Sequence, residues 1–283
     1  MKICWFNDNR LGLVEGDKVK DVSAALRILP APRYPAEHGD LLIAHLDAVR
    51  AEIGKVAGSA TVHDVASVEF LSPVANPGKI IGVPVNYLKH VEEAEAQRDV
   101  FTHRYQGSIR EQGLFLKATS ALVGTSHGVK INHPDRRTDH EIELGVVIGR
   151  KVYGISEADA LSCVAGYAVA LDMVLRGPED RSYRKSPDTY AVLGPWLVTA
   201  DEIADPGKLD LSLQVNGVTK QESNTEHFIM DLPKQIAWAA SVYTLYPGDI
   251  IMTGTCEGVS PVVPDDVMRC HVEGVATVDV RVS

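Results

Sequence analysis

The sequence predicts an α+β fold that is mainly β. Strand-like runs outnumber helical ones and do not alternate with them in a regular βαβ order. The two strongest apolar runs, at 142–148 and 166–174, read as strands covered on both faces. A length of 283 residues suits one large domain or a small domain joined to a medium one. With 45% hydrophobic and 23% charged residues, the chain has the material for a sizeable core.

Taken in order, residues 2–6 read as a strand, and 11–19 as a hairpin and return with turn chemistry from Gly16 and Asp17. Pro30, Pro32 and Pro35 impose an irregular connection. Residues 39–53 place Leu42, Leu46, Val49 and Ile53 on a helical stripe, with Asp40 as N-cap. Turn-rich chain follows, and a boundary near residue 77 divides a small N-terminal α+β domain (1–77) from a larger one (78–283). Residues 79–83 form a short buried strand, and a helix starts after Asn86, which serves as its cap. Residues 97–112 are polar and charged, a composition suited to a mobile lid. Residues 113–117 return to strand. Ser156 and Asp159 cap a short helix, and Asn216-Gly217 closes a hairpin. Residues 231–243 form an amphipathic helix, and 249–253, 267–271 and 276–282 supply the last strands.

Composition excludes several functions. A net charge of −10 argues against a nucleic-acid-binding surface but leaves room for small anionic substrates, which respond to local charge. Cys4, Cys163, Cys256 and Cys270 are scattered and make neither a disulfide scaffold nor a zinc framework. The N-terminal residues are too short in apolar character for a signal peptide, and no run approaches the ~18 apolar residues of a membrane span. The expected location is the cytoplasm.

Glu141 and Glu143 lie two apart at the start of a covered strand, so they share a face. Such carboxylates either stand at a solvated edge or hold a cation that relieves their repulsion and desolvation. Asp172 interrupts a second apolar strand and is either a hydrogen-bonded structural group or a third ligand. Three oxygen donors without a nearby Cys suit Mg²⁺ or Mn²⁺ before Ca²⁺. His90 and Glu93 are three apart on a helix and can touch, either as a surface pair or as a base that activates water. Lys185 lies among Arg176, Arg181 and Arg184, in a solvated basic loop or a cationic patch for an anionic substrate. The Gly-turn 253–259 can present N–H groups and hydroxyls to an oxyanion, and Cys256 within it reads as a small residue rather than a nucleophile.

Six motifs in register, over 78–283, resemble the fumarylacetoacetate hydrolase family. They are Asn86-Tyr-x-x-His-x-x-Glu93; Glu141-x-Glu143-Leu-x-Val-Val-Ile-Gly; Gly166-Tyr to Asp172; Lys185-Ser-x-Asp-Thr to Gly194-Pro-Trp-Leu; Val215-Asn-Gly217; and Pro247-Gly-Asp-Ile-Ile-Met-Thr-Gly-Thr255. The resemblance implies a rolled mixed β-sandwich core with peripheral helices, usually homodimeric, that acts with Mg²⁺ or Mn²⁺ on 2-oxo or 2,4-dioxo acids. By the same resemblance Glu141, Glu143 and Asp172 are metal ligands, and His90 with Glu93 is a water-activating pair on a lid helix. Lys185 is the active-site lysine, and Arg176 and Thr255 contact substrate. Cys256 where proline is common, Gly177 where an acidic residue is common, and Ser260 in place of the second Gly of Gly-Val-Gly depart from the pattern and bear on specificity.

The implied reaction is hydrolysis of the C–C bond of an acylpyruvate, with the ion as Lewis acid for the pyruvate enolate. His90 and Glu93 would activate water, and Lys185 would stabilise the oxyanion. Decarboxylation, hydration or isomerisation of a 2-oxo acid is the alternative within the family. A non-catalytic small-molecule or metal-binding protein is the alternative outside it.

Overall fold

The structure, a computed structural model, describes residues 1–31, 33–96 and 108–283. The first strands, β1 (Lys2–Phe6), β2 (Arg10–Glu15) and β3 (Lys18–Asp21), form a meander. Asp40 caps α1 (Leu41–Ala44) through the Ile43 N–H, as its sequence position predicts. Its other oxygen accepts from Ala75 and Asn76 and pins the following connection. The helical stripe at 39–53 is two helices rather than one. The backbone leaves helical geometry at His45, and α2 (Leu46–Val56) follows. After β4 (Val62–Asp64) comes β5 (Ile80–Gly82), then α3 (Leu88–Ala96), α4 (Ile109–Gln112), β6 (Phe115–Lys117), β7 (Leu122–Val123) and β8 (Thr138–Asp139). Most of the stretch read as a lid, 97–107, lies outside the described residues.

The centre is built from β9 (Ile142–Ile148) and β10 (Val164–Asp172), with β11 (Val174–Leu175) and α5 (Arg181–Lys185) after them. Every residue of β9 is buried. Ile142, Leu144, Val146 and Ile148 face one apolar core, and Val147 faces the other. A strand covered on both faces needs no polar alternation, which is why its sequence is a continuous apolar run. Chain order continues with β12 (Ala191–Thr199), β13 (Asp210–Val215), β14 (Val218–Asn224), α6 (Leu232–Val242), β15 (Ile250–Met252), β16 (Pro261–Val262), β17 (Val267–Val272) and β18 (Ala276–Arg281). The turn between β13 and β14 has Asn216 and Gly217 at φ 51° and 81°, the left-handed pair a two-residue hairpin requires.

The main sheet runs β4-β3-β2-β1-β12-β10-β9-β15-β5-β6, with β7 added beside β12. It is mixed: β15 pairs with β5, and β12 with β7, in parallel, while the other pairings are antiparallel. A four-stranded sheet, β14-β13-β17-β18, packs across one core, and β11-β8-β16 form a small third sheet. The N-terminal meander is continuous with the main sheet, because β1 pairs with β12 through Ile3 and Leu197. The second core is closed by α1 and α2, which bury Leu42, Val49 and Ile53 against Ile3 and Leu197. At about 25 cal/mol per Å² of apolar surface, this interior burial is the main stabilising term. No helix among the described residues is long and apolar enough to cross a membrane.

Candidate metal centre

Strand register builds the site. Leu171 stands opposite Ile142, and Ala170 opposite Glu143, across the β9–β10 ladder. Asp172 therefore lies beside Glu141, and its N–H donates to the Glu141 carbonyl at 2.9 Å. Glu141, Glu143 and Asp172 share one face, with Ala170 opposite Glu143. Each offers an oxygen within 4.8 Å of the others, and all three residues are buried. A buried, all-oxygen, three-carboxylate set fits a hard divalent cation.

The cluster is stabilised by cations and backbone donors. Lys185 ends α5, which Asp180 caps through the Ser182 N–H. Its Nζ lies 2.6 Å from Glu141 Oε2 and 2.6 Å from Asp172 Oδ2. Residues 181–185 are thus a helix that turns its lysine inward rather than a solvated loop. Arg184 likewise donates to the Glu179 carbonyl at 2.9 Å. A second lysine, Lys117 at the end of β6, pairs with Asp172 Oδ1 and donates to the Met173 carbonyl at 3.3 Å. Glu143 accepts from the Gly254 N–H at 2.8 Å.

These neighbours shift two of the carboxylates in opposite directions. Burial, with Asp172 and Glu141 adding like charge, raises Glu143 well above the ordinary carboxylate range. Burial alone would also raise Asp172, but Lys117 and Lys185 overcome it and hold that carboxyl below its usual value. Burial lowers the ammonium of Lys117 as well.

Arg176 reaches Glu141 Oε1 at 3.4 Å while Asp139 holds its Nε at 2.7 Å. Asp139 also pairs with Arg137 at 2.6 Å. Thr255 is buried, its hydroxyl donating to the Ile142 carbonyl at 2.8 Å and accepting from Gln221 Nε2 at 2.7 Å. Gln221 Oε1 accepts from the Ile142 N–H and meets His140 Nδ1 at 2.9 Å. That contact puts the His140 proton on Nδ1 and leaves Nε2 to accept from Ser260 Oγ at 2.8 Å. Burial lowers the His140 pKa, so the ring is neutral. Ser260, a departure from the family pattern, thus fixes the residue next to Glu141. Cys256 is buried, and burial pushes its thiol up to about 12, so it remains a packed thiol.

On α3, His90 Nδ1 meets Glu93 Oε2 at 2.9 Å, and the other Glu93 oxygen accepts from the Gly258 N–H at 3.0 Å. Asn86 does not cap this helix. Its side chain donates to the Met230 and Thr253 carbonyls and accepts from the Met230 N–H, tying the entry to α3 to distant chain. The loop 254–258 thereby touches both groups, Glu143 at one end and Glu93 at the other. Lys117, Asp139, Gln221 and His140 are not singled out by sequence reasoning. The only local signal is Lys117 closing the apolar strand Phe115-Leu116-Lys117.

Fold and site together define a class, and residues 79–283 match the fumarylacetoacetate hydrolase C-terminal family. The chain belongs to the fumarylacetoacetate hydrolase family. Among its relatives is a maleylpyruvate hydrolase of Aquipseudomonas alcaligenes, 48% identical over 284 residues and covering 100% of this chain and 99% of the relative. The crystal structure of maleylpyruvate hydrolase from Sphingobium sp. SYK-6, in complex with manganese(II) and pyruvate, superposes with a TM-score of 0.85 at 38% identity. It covers 100% of this chain and 98% of that one. A mitochondrial oxaloacetate tautomerase of Rattus norvegicus is 37% identical over 199 residues, 69% of this chain and 60% of the relative.

Proposed function

We propose that this protein is a Mn²⁺- or Mg²⁺-dependent hydrolase that cleaves the C–C bond of a 2,4-dioxo acid of the acylpyruvate type, with maleylpyruvate as the leading candidate. The observation that carries this reading is the Glu141–Glu143–Asp172 cluster, with Lys185 bridging two of its carboxylates. A full-length relative of 48% identity that hydrolyses maleylpyruvate supports the substrate class. Residues 78–283 form the catalytic domain in this reading, since every proposed site residue falls there, and 1–77 form the small N-terminal domain. The family resemblance supports a homodimer, and four free, scattered cysteines support a cytoplasmic location.

Glu141, Glu143 and Asp172 would hold the ion, which supplies Lewis acidity to the carboxylate and 2-keto end of the substrate. Arg176 borders that end through Glu141, and Thr255 shapes it by holding the backbone of Ile142. Glu93 fixes His90 through Nδ1, and the ring's Nε2 would take a proton from water as it attacks the 4-carbonyl. Lys185 donates to the oxyanion formed there. The bond between carbons 3 and 4 then breaks. The electron pair passes to the pyruvate enolate, which takes up a proton, and the acyl carbon leaves as a carboxylate.

The test is a panel of acylpyruvates, maleylpyruvate among them, with oxaloacetate and unsaturated 2-oxo acids, assayed with EDTA and with added Mn²⁺ or Mg²⁺. Metal-dependent release of pyruvate from an acylpyruvate is expected. Turnover that survives EDTA contradicts the reading, and turnover of oxaloacetate alone favours the tautomerase or decarboxylase alternative. His90→Ala should keep Mn²⁺ binding and slow hydrolysis by ~10²–10⁴-fold. A full-rate variant removes the pair from the mechanism.

A further inference from the structure

We propose that Lys117 is a charge-setting residue that weakens the metal site for its ion so that the loaded site can take an anionic 2-oxo acid. The inference rests on the metal-site reading above. Lys117 has no exposed side-chain surface, and its ammonium pairs with Asp172 Oδ1, the oxygen that Lys185 leaves. Counted with all three carboxylates ionised, as a bound divalent ion requires, the three carboxylates against the two buried ammoniums leave one negative charge, and Arg176, which also reaches Glu141, is offset by its partner Asp139. A divalent ion takes it to one positive charge, which the carboxylate of a bound 2-oxo acid cancels. Without Lys117 the cluster would carry two negative charges. The ion would then bring it to neutrality, and the anion would enter against no attraction.

One cation thus acts with opposite sign on the two ligands. It repels the metal ion and attracts the substrate, and both effects are large in a water-poor site. A lysine that merely orients Asp172 would behave differently. Removing an orienting partner of a metal ligand costs ~10–100-fold in metal affinity and gives nothing back. The two roles are separable by the direction of the change in metal affinity.

The experiment measures Mn²⁺ affinity by electron paramagnetic resonance on the full-length protein. Pyruvate affinity for the Mn²⁺-loaded protein is then measured by calorimetry, so that neither readout depends on turnover. For Lys117→Met, Mn²⁺ binding should tighten by on the order of tenfold, and pyruvate binding should weaken by on the order of tenfold. Lys117→Gln keeps a donor toward Asp172 and Met173 while removing the charge. It carries the same two expectations where the Met variant does not fold. Weaker or unchanged Mn²⁺ binding in the folded variant overturns the proposal, as does unchanged pyruvate binding. Absence of Mn²⁺ binding to the wild-type protein would instead overturn the metal-site reading itself.

Discussion

The three clustered carboxylates, Glu141, Glu143 and Asp172, are unequal partners of the fold, and stability without added metal should reveal it. Asp172 neutralises two buried ammoniums, Lys117 through Oδ1 and Lys185 through Oδ2. Asp172→Asn leaves Lys117 buried with no carboxylate, a loss of about 3–5 kcal/mol for a broken buried pair. The lysine can escape by losing its proton, which costs about 4.6 kcal/mol at pH 7 from an ordinary pKa near 10.4 and so caps the penalty. Glu143 is the opposite case, since burial and like charge already raise its pKa. Glu143→Gln removes that repulsion and keeps an oxygen for the Gly254 N–H, so it should cost nothing or stabilise. Unfolding entropy near 2.1 cal/mol/K per residue over 283 residues makes 1 kcal/mol worth about 1.7 °C. In EDTA at pH 7, Asp172→Asn should therefore melt roughly 5–8 °C below wild type, and Glu143→Gln at or above it. Calorimetry provides the assay. The Asp172→Asn deficit should shrink toward pH 9, where deprotonating Lys117 costs less. Equal melting temperatures for the two variants would refute the asymmetry.

Three further outcomes follow from the same geometry. Because the Glu143 pKa is raised in the folded protein, the carboxyl holds a proton above the pH at which the unfolded chain has lost it. Stability from this group therefore falls as pH rises from about 4.5 through the folded value, and Mn²⁺ must displace the proton. Mn²⁺ affinity should rise with pH over that window, with proton release read by calorimetry in buffers of different ionisation enthalpy, and Glu143→Gln should abolish the release. Gly258 has φ +91°, and an added Cβ would sit 1.8 Å from the Lys220 carbonyl oxygen. Gly258→Ala should displace the N–H that holds Glu93, lowering kcat at least ~10-fold while Mn²⁺ binding survives; an unchanged kcat would remove that contact from the mechanism. The Thr199 hydroxyl and Arg50 lower the Asp201 pKa to about 2, with Arg50 Nη2 at 2.6 Å. This exposed contact between α2 and the end of β12 is worth about 0.2–1 kcal/mol, present above about pH 4 and lost as pH falls through about 2. Urea midpoints of Asp201→Asn and wild type should converge over that range.

The parts of the site legible in the sequence are those whose signal is local. Glu141, Glu143 and Asp172 stand out because strands covered on both faces tolerate few charges, and His90 and Glu93 because helical spacing alone makes them neighbours. Lys117 is hidden for the converse reason: a lysine closing a short strand looks like an ordinary surface end, and its partner lies 55 residues away. Asn86 misleads for a similar reason. Its type and place suit a helix cap, yet hydrogen bonds to residues 144 and 167 positions onward claim its side chain. Continuity of the N-terminal meander with the main sheet depends on Ile3 meeting Leu197, a pairing with no local signature.

The loop 254–258 explains how a short helix is held in place beside the carboxylate cluster. A helix with nine described residues, Leu88–Ala96, is marginal by itself. Its position must come from tertiary contacts, and Asn86 supplies one set at its entry. Glu93 supplies another at the Gly258 N–H, four residues from the Gly254 N–H that holds Glu143. Both glycines have positive φ, +94° and +91°, and at both an added Cβ would overlap neighbouring atoms. The loop conformation therefore requires glycine at each end. His90 is thus placed relative to Glu141, Glu143 and Asp172 through a short length of defined backbone, and the stability of the helix itself matters less than the integrity of that loop.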